Sequence, residues 1–314
     1  MKNYKILITG GAGYIGSMLS TKLINLGNQV TVIDILEYDT RSLSHLYLNK
    51  NFTLYKKDVR DKKFLKKIIN KFDCVIPLAG LVGAPLCEKR KKDAIEINLN
   101  AVKDLVSMLS KKQKIIFTNS NSGYGIGSKQ KFCDENSSLN PISLYGRTKV
   151  DAEKIVMKFK NAISFRLATV FGYSYRMRTD LLLNNLVLLS MRDKKLDIFE
   201  SNFRRNFIHV RDVCDGIIYA IYNFNKLKSN VYNLGMSKAN ITKFEMVKKI
   251  KKHIGKLKIK KIHNVKDPDK RDYFVSNRKI EKTGFKTKIS LNKGIKELHK
   301  LYSLNDFKKI KNNY

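Results

Sequence analysis

The sequence is poor in the residues that build metal sites and disulfide frameworks. Its 314 residues include four cysteines and five histidines. The cysteines stand at least 13 residues apart and form no C-x-x-C pair, and the histidines show no H-x-x-x-H spacing. Zinc sites and stapled secreted domains depend on such spacings. We therefore predict free thiols in a reducing compartment and no metal site.

Long apolar runs are also missing. No stretch approaches the roughly 18 uncharged apolar residues that a membrane span needs. The polar, basic start of the chain leads directly into a strand pattern instead of the apolar core of a signal peptide. We expect a cytoplasmic protein without a membrane partner.

Acidic residues are scarce, because 27 Asp and Glu stand against 63 Lys and Arg, a formal net charge of +36. Such an excess is found in nucleic-acid-binding proteins, and residues 248–261 are especially basic. However, lysines recur through the whole chain at the solvent-facing positions of amphipathic segments such as residues 64–71. We interpret the charge as a solvated surface that attracts anionic ligands, and predict no nucleic-acid partner.

The chain does contain a dense glycine turn near its start. An apolar strand pattern at 4–9 runs into Gly10, Gly13 and Gly16, and an amphipathic helix pattern follows at 14–26. This order places backbone N–H groups and the positive end of the helix beside a bound pyrophosphate. Gly10 permits the tight turn, Gly13 the approach of phosphate, and Gly16 the packing of helix on strand. The alternative is an ordinary glycine turn in a strand–helix unit.

The next predicted strand, 29–34, ends at Asp34. An acid about 20 residues after the glycines accepts hydrogen bonds from the adenosine ribose hydroxyls and repels a 2′-phosphate. The sequence therefore predicts NAD as the cofactor and disfavours NADP.

Strand and helix patterns alternate to about residue 170, which predicts an α/β, Rossmann-type doubly wound parallel sheet. Residues 1–170 are the expected NAD-binding domain, with a segment near 205–235 returning to its sheet. Residues 171–204 and 236–314 are the expected smaller substrate-binding lobe. The predicted strands are 4–9, 29–34, 52–56, 73–78, 114–120, 162–168, 196–200 and 231–234; the predicted helices are 14–26, 61–71, 92–110, 145–160, 180–191, 242–254 and 291–302.

Three side chains are placed to carry chemistry. Tyr145 and Lys149 lie one helical turn apart, and Ser120 ends the fifth predicted strand. An ammonium beside a phenol stabilises the phenolate, and the positive ring of a bound nicotinamide adds to that shift, so Tyr145 can act as a base. The Ser120 hydroxyl can hold the reacting oxygen. Taken singly, these residues would be a solvated helix pair and a turn serine.

The glycine turn, the Ser–Tyr–Lys set, and the segments 77–80, 166–172 and 207–212 together resemble the extended short-chain dehydrogenase/reductase family of NAD-dependent sugar-nucleotide epimerases, dehydratases and dehydrogenases. The resemblance implies a nucleotide-sugar substrate and a homodimer paired through the helices at 92–110 and 145–160. The implied cofactor-binding residues are Gly10, Gly13, Tyr14, Ile15, Gly16, Asp34, Asp58, Val59, Leu78, Ala79, Gly80, Asn98, Tyr145, Lys149 and Val170. The implied substrate-binding residues are Ser122, Asn184, Asn185, Arg205 and Arg271, the two arginines for the diphosphate.

Longer segments, 76–87, 118–125, 203–212 and 267–273, are similar to a narrower group, the GDP-heptose 4-dehydrogenases of bacterial capsule synthesis. The chain departs from the family where Gly80 replaces the usual Ala. Tyr173 and Tyr175 replace prolines in a loop that could face the sugar, directly before Arg176 and Arg178.

The reaction is narrowed by one pair of residues. Dehydratases of this family place an Asp–Glu pair after the catalytic hydroxyl residue, but here Asn121 and Ser122 follow Ser120, and neither can serve as that acid or base. No motif separates a 4-dehydrogenase from a 4-epimerase. The whole-chain resemblance favours oxidation of GDP-manno-heptose to its 4-keto form. One alternative is a 4-epimerase with tightly bound NAD. A second alternative is a non-catalytic NAD-binding regulator, although the intact Ser–Tyr–Lys set argues against it.

Overall fold

Short apolar strands form the centre of the molecule. In the first strand Ile6, Leu7 and Ile8 are fully buried; Ile6 and Ile8 belong to one hydrophobic cluster and Leu7 to another. Successive side chains of a strand point to opposite faces of its sheet. The strand is therefore covered on both faces, as in a doubly wound α/β protein.

The computed structural model describes residues 3–127, 132–262 and 271–304. The described strands are β1 Lys5–Thr9, β2 Gln29–Asp34, β3 Phe52–Lys56, β4 Cys74–Pro77, β5 Lys114–Ser120, β6 Ala162–Leu167, β7 Thr169–Phe171, β8 Lys195–Phe199, β9 Arg204–His209, β10 Asn230–Leu234, β11 Asn240–Thr242 and β12 Lys258–Ile262. Seven of them run parallel and form the main sheet in the order β3-β2-β1-β4-β5-β6-β10, which confirms the predicted fold class.

Helices cover both faces of this sheet. The described α-helices are α1 Tyr14–Asn25, α2 Lys62–Ile68, α3 Ala84–Lys89, α4 Lys91–Ile95, α5 Ala101–Ser107, α6 Leu144–Val156, α7 Leu182–Asp193, α8 Val210–Tyr222, α9 Phe224–Leu227, α10 Lys243–Ile254, α11 Arg278–Glu281 and α12 Leu291–Leu304. Apolar residues of α1 and α8 share a cluster on one face. Those of α2, α5 and α6 share the cluster on the other.

A second core lies beside the main sheet. The strands β11, β9 and β7 form a three-stranded sheet, and β8 pairs in parallel with β12. Buried side chains of α7, α10 and α12 pack against these strands in one cluster. This region is built from the segments expected to bind the nucleotide-sugar, and the division of the chain at residues 170, 205 and 235 stays a prediction.

Several elements differ from the sequence prediction, which assigns no strand at β7, β9, β11 or β12 and no helix at α3, α9 or α11. The helix expected at 92–110 is α4 and α5 joined by a single π-helical turn, Glu96–Asn100. Helix α8, for which the sequence analysis assigns no element, follows β9 directly. Part of the expected C-terminal region, including Asp267–Lys270 of one similarity segment, lies outside the described residues.

Within the described ranges, no helix is long and apolar enough to cross a membrane. The same ranges contain no cluster of three or more His, Cys, Asp or Glu side chains arranged to hold a metal ion.

Candidate active site

A cleft of about 530 Å³ lies at the carboxyl edge of the main sheet and is lined by residues at the ends of its strands. This edge is where open α/β sheets bind their ligands. Nearly all predicted site residues line it: Gly10, Gly13, Tyr14, Ile15, Gly16, Asp34, Asp58, Val59, Leu78, Ala79, Gly80, Asn98, Ser120, Tyr145, Lys149, Val170, Asn185, Arg205 and Arg271. Ser122 and Asn184 are not in its lining.

The glycine turn is shaped by close backbone contacts. Gly10 has φ +71°, and a Cβ there would lie 2.4 Å from the backbone nitrogen of Ala79. A Cβ on Gly16 would lie 2.5 Å from the carbonyl oxygen of Gly10, so the glycine lets the first turn of α1 lie close against the glycine turn. Gly13 begins α1 without a side chain to cap it. The first-turn N–H groups therefore suit the pyrophosphate of a dinucleotide.

The Asp34 carboxylate sits at the end of β2 in the cleft wall. Its Oδ2 accepts a hydrogen bond from the Ala12 nitrogen at 3.0 Å and its Oδ1 one from the Leu36 nitrogen at 2.8 Å. Burial raises the pKa of Asp34, and these two N–H groups oppose the rise. The carboxylate is thus fixed at the position expected to meet an adenosine ribose.

Asn98 explains the glycine at position 80. The asparagine lies in the π-helical turn, a feature that often occurs at functional sites. Its Oδ1 accepts from the Leu81 nitrogen at 2.8 Å, and its Nδ2 donates to the Leu81 oxygen at 3.0 Å. A Cβ on Gly80 would lie 2.9 Å from the same Oδ1. The glycine therefore lets Asn98 hold the loop after β4 against the cleft.

The second acidic cofactor candidate is Asp58. Its carboxylate pairs with Arg60, with Nη2 2.7 Å from Oδ2. Hydrogen bonds from that guanidinium lower the pKa of Asp58. The acid is therefore a fixed anion on the cleft wall beside Val59.

Ser120 connects the cleft to a chain of hydroxyl and guanidinium groups. Its Oγ lies 2.9 Å from the Ser122 Oγ and accepts from the Ser122 nitrogen at 3.1 Å. The Arg271 Nη1 donates to the Ser122 Oγ at 3.2 Å. Ser122 thus stands behind Ser120 and connects it to Arg271.

Tyr145 lies on the first turn of α6, where Ser143 caps the helix through the Gly146 nitrogen. Burial raises the pKa of the phenol to about 12, although Arg271 and Arg178 and a hydrogen bond to Ser120 act to lower it. The sequence predicts that Lys149 lowers the pKa of Tyr145, but the groups that lower it here are Arg271, Arg178 and Ser120. The protein alone therefore leaves Tyr145 protonated near neutral pH, so its use as a base depends on further positive charge.

Lys149 projects from the next turn of α6, with its Nζ 4.1 Å from the centre of the Phe117 ring. Burial lowers its pKa from 10.5 to about 7, and Glu153 and Cys87 oppose that change. The buried ammonium is thus a costly group that the site retains.

We expect Lys149→Met to stabilise the protein freed of NAD, most strongly at or below pH 7. Between about pH 7 and 10.5 the unfolded chain binds more protons at Lys149 than the folded chain does, so this residue makes stability rise with pH. The advantage of the variant therefore shrinks toward pH 10. Urea unfolding at three pH values measures it; an advantage that grows with pH contradicts the prediction.

The two asparagines of α7 differ in position. Asn184 is fully buried; it accepts from the Gly172 nitrogen at 2.9 Å and donates to the Arg178 oxygen at 2.8 Å. It thereby holds the loop after β7 from behind the cleft wall, and the predicted contact with substrate does not follow from its geometry. Asn185, one residue later, lines the cleft.

The loop after β7 contains site residues that the sequence analysis missed. The Ser174 Oγ donates a hydrogen bond to the Tyr14 backbone carbonyl oxygen at 2.6 Å, which holds this loop against the start of α1. Arg176 is only 3% exposed, lines the cleft and lies 4.7 Å from the Tyr38 ring. Its positive charge opposes the rise that burial causes in the pKa of Asp34, and the charge of Arg178 does the same for the pKa of Tyr145. The loop expected to face the sugar therefore also reaches the Asp34 end of the cleft.

Comparison with known proteins places this site in a family. A family model described as the NAD dependent epimerase/dehydratase family matches residues 6–235. The chain belongs to this family. Membership confirms the predicted NAD cofactor and the resemblance to extended short-chain dehydrogenases/reductases at family level.

Two curated proteins that are similar to this chain are UDP-glucose 4-epimerases. The one from Lactobacillus helveticus is 29% identical over 273 residues, which cover 78% of this chain and 81% of the relative. The one from Cyamopsis tetragonoloba is 28% identical over 290 residues, 82% of each chain.

Solved structures share the fold of the chain. The UDP-glucuronic acid 4-epimerase from Bacillus cereus, in complex with UDP-glucuronic acid and NAD, superposes with a TM-score of 0.85 at 24% identity and covers 96% of this chain and 99% of its own. The dTDP-glucose 4,6-dehydratase from Bacillus anthracis, in complex with NAD, gives 0.84 at 21% identity, with 96% and 97% covered.

Proposed function

We propose that this protein oxidises the C4 hydroxyl of a nucleotide sugar with NAD. The observation that carries the proposal is that Ser120, Tyr145 and Lys149 line the same cleft as the glycine turn and Asp34. A cofactor bound on that turn and a sugar bound at the tyrosine would therefore share one cleft. NAD, when bound, supplies a hydride acceptor.

The side chains divide the remaining work. Tyr145 takes the proton from the 4-hydroxyl, and the Ser120 hydroxyl holds the same oxygen in place. Arg271 and Arg178 lower the pKa of the Tyr145 phenol, and the positive charge that comes with the oxidised cofactor acts in the same direction. Lys149 follows Tyr145 by one turn of α6, and its role in this proposal is to bind the cofactor. The proton of the 4-hydroxyl thus passes to the Tyr145 phenolate, which these positive charges stabilise once the site is filled.

The diphosphate of the substrate fits the two predicted arginines. Arg205 is 2% exposed and lines the cleft, and Arg271 lines it beside Ser122. A guanidinium fork matches phosphate oxygens, and burial strengthens the interaction. The same groups would bind any nucleoside diphosphate.

The fate of the 4-keto sugar gives two candidate activities. The curated relatives are UDP-glucose 4-epimerases, which supports return of the hydride to the other face of the sugar. The similarity segments at 76–87, 118–125 and 203–212 support the second candidate, a 4-dehydrogenase that converts GDP-manno-heptose to its 4-keto form for capsule synthesis.

Product analysis tests both candidates. Purified protein with NAD is incubated with GDP-manno-heptose and, separately, UDP-glucose, while NADH absorbance is followed and the sugar nucleotide is resolved by mass and NMR. A product two mass units lighter, together with NADH, supports the 4-dehydrogenase, and an isomer of unchanged mass supports the 4-epimerase. Oxidation at a carbon other than C4 overturns the proposal.

A further inference from the structure

The loop after β7 connects the smaller core to the helix that begins at the glycine turn. Residues 172–178, here called the Arg176 loop, lie against the start of α1. In addition to the bond between Ser174 and Tyr14, the Ser174 Oγ lies 3.1 Å from the Ser17 Oγ, and the Arg176 nitrogen donates to the same Ser17 Oγ at 3.3 Å. The backbone of the loop is therefore held at the helix whose first turn lines the cleft.

An aromatic stack holds the outer side of the Arg176 loop. The centres of the Tyr175 and His45 rings lie 4.3 Å apart, with 27° between the ring planes. The His45 Nε2 lies 2.8 Å from the Thr21 Oγ1 of α1, so the same helix holds both partners of the stack. Tyr175 is 39% exposed and stands where the family resemblance predicts a proline. The stack is therefore a feature of this chain at the protein surface.

Arg176 is the part of the loop that enters the cleft. Its side chain lines the cleft together with Tyr38 and Asp34. Burial lowers the pKa of Arg176, which reflects the cost of keeping a guanidinium out of water. A buried charge is retained where it has partners, and the Asp34 carboxylate is one of them. A fixed donor and a fixed acceptor of hydrogen bonds thus lie at one end of the cleft.

We propose that the Arg176 loop holds the adenosine end of bound NAD, and that the stack of Tyr175 on His45 keeps the loop in place. A ribose hydroxyl both donates and accepts hydrogen bonds. Asp34 can accept from it, and Arg176, which only donates, can bind its lone pairs. Tyr175 and His45 are not in the cleft lining, so they act as positioning residues through Arg176. The inference rests on NAD as the cofactor and does not depend on the reaction of the sugar.

A loop held in this way slows the exchange of the cofactor, because release of NAD must break the contact with Arg176. A 4-epimerase keeps its NAD until the hydride returns to the sugar, whereas a 4-dehydrogenase exchanges it after each oxidation. The Arg176 loop therefore favours the epimerase candidate. The rate at which NAD leaves the protein is the quantity that the loop controls.

Exchange of radiolabelled NAD for excess unlabelled NAD measures the dissociation rate from the loaded protein. Arg176→Met raises this rate about tenfold or more, because hydrogen bonds from a charged donor are lost. Tyr175→Ala and His45→Ala each raise it about two- to tenfold, the range for an aromatic pair. The double variant is no faster than the faster single variant, because both substitutions remove the same contact. Tyr175→Phe keeps the ring and therefore the slow rate.

ADP-ribose identifies the end of NAD that the loop holds, because it contains the adenosine diphosphate and lacks the nicotinamide. Calorimetric titration should show that Arg176→Met weakens the binding of ADP-ribose by a factor similar to that for NAD. An unchanged affinity for ADP-ribose in this variant overturns the assignment of the loop to the adenosine end. Parent-like exchange of NAD in Arg176→Met overturns the whole inference.

Tyr47→Ala is the matched control, because Tyr47 is an exposed tyrosine two residues after His45 and its ring stacks on Phe52. Its exchange of NAD should match that of the parent protein. Parent-like exchange in Tyr175→Ala, or effects of the two single variants that multiply in the double variant, overturns the role of the stack. Exchange that depends on the stack in a protein that turns over no nucleotide sugar overturns the proposed reaction and leaves this inference standing.

Discussion

Tyr145→Phe lowers turnover of the nucleotide sugar by about 10²–10⁴-fold while NAD stays bound with nearly unchanged affinity. The variant removes the hydroxyl proposed to take the C4 proton. It keeps the ring, which packs with Leu144 against a buried cluster around Leu81. Steady-state rates and calorimetric titration of NAD measure the two effects separately.

The control for this experiment is Tyr47→Phe. Tyr47 is 48% exposed, and its hydroxyl donates to the Thr40 oxygen outside the cleft at 3.1 Å. Rates and NAD affinity should match the parent protein. Turnover that persists in Tyr145→Phe would show that another group removes the proton.

The main sheet could be predicted because its strands carry their own signal. Ile6, Leu7 and Ile8 form an unbroken apolar run, as expected for a strand covered on both faces. The glycine turn and Asp34 are equally local, since strand, turn and helix follow one another in the chain. Their meeting at one edge follows from parallel topology.

Helix α8 carries no such local start signal. Its N-cap is His209, whose side chain accepts from the Arg211 nitrogen at 3.2 Å, and histidine is not a typical capping residue. The π-helical turn at Asn98 likewise depends on tertiary contacts with Leu81. The start of α8 is therefore not marked by its cap, although its buried residues Val210, Val213, Cys214 and Ile217 follow helical spacing. The π-helical turn has no signal of its own in the spacing of apolar residues.

Several site residues meet only in three dimensions. Arg176 reaches Asp34 because Ser174 binds the start of α1, and Lys243 reaches Glu200 because α10 begins beside the end of β8. Each would be read from sequence alone as one of many surface charges in a very basic chain. Asn184 shows the converse, because a residue placed at the substrate by resemblance is used here to hold a loop.

A buried network behind the cleft fixes α6, the helix that carries Tyr145 and Lys149. The Glu153 Oε1 lies 2.8 Å from the Arg166 Nη2, and the side chains are 4% and 7% exposed. The Glu153 Oε2 accepts from the Ser164 Oγ at 2.7 Å. The Arg166 Nη1 donates to the Tyr124 hydroxyl at 3.1 Å, which itself bonds to Asn233 of β10. Helix α6 is thus bound to β6 through the Glu153–Arg166 ion pair and to β10 through the neutral hydroxyl and amide of Tyr124 and Asn233.

Glu153→Leu lowers the free energy of unfolding by about 3–5 kcal/mol, because it leaves the Arg166 charge buried without its carboxylate. Urea unfolding measures the loss. Asp151→Asn is the matched control on the same helix; Asp151 is half exposed and pairs with Lys154 at 3.0 Å. A surface change of this kind should stay within about 0.5 kcal/mol.

The double variant Glu153→Leu with Arg166→Met separates pairing from packing. Removing both charges leaves neither one uncompensated, so the double variant should lose clearly less stability than the sum of the two single variants. Losses that simply add would mean that the two side chains stabilise α6 independently. Turnover should fall in every variant that shifts α6, because Tyr145 and Lys149 must lie within hydrogen-bonding reach of their ligands to act.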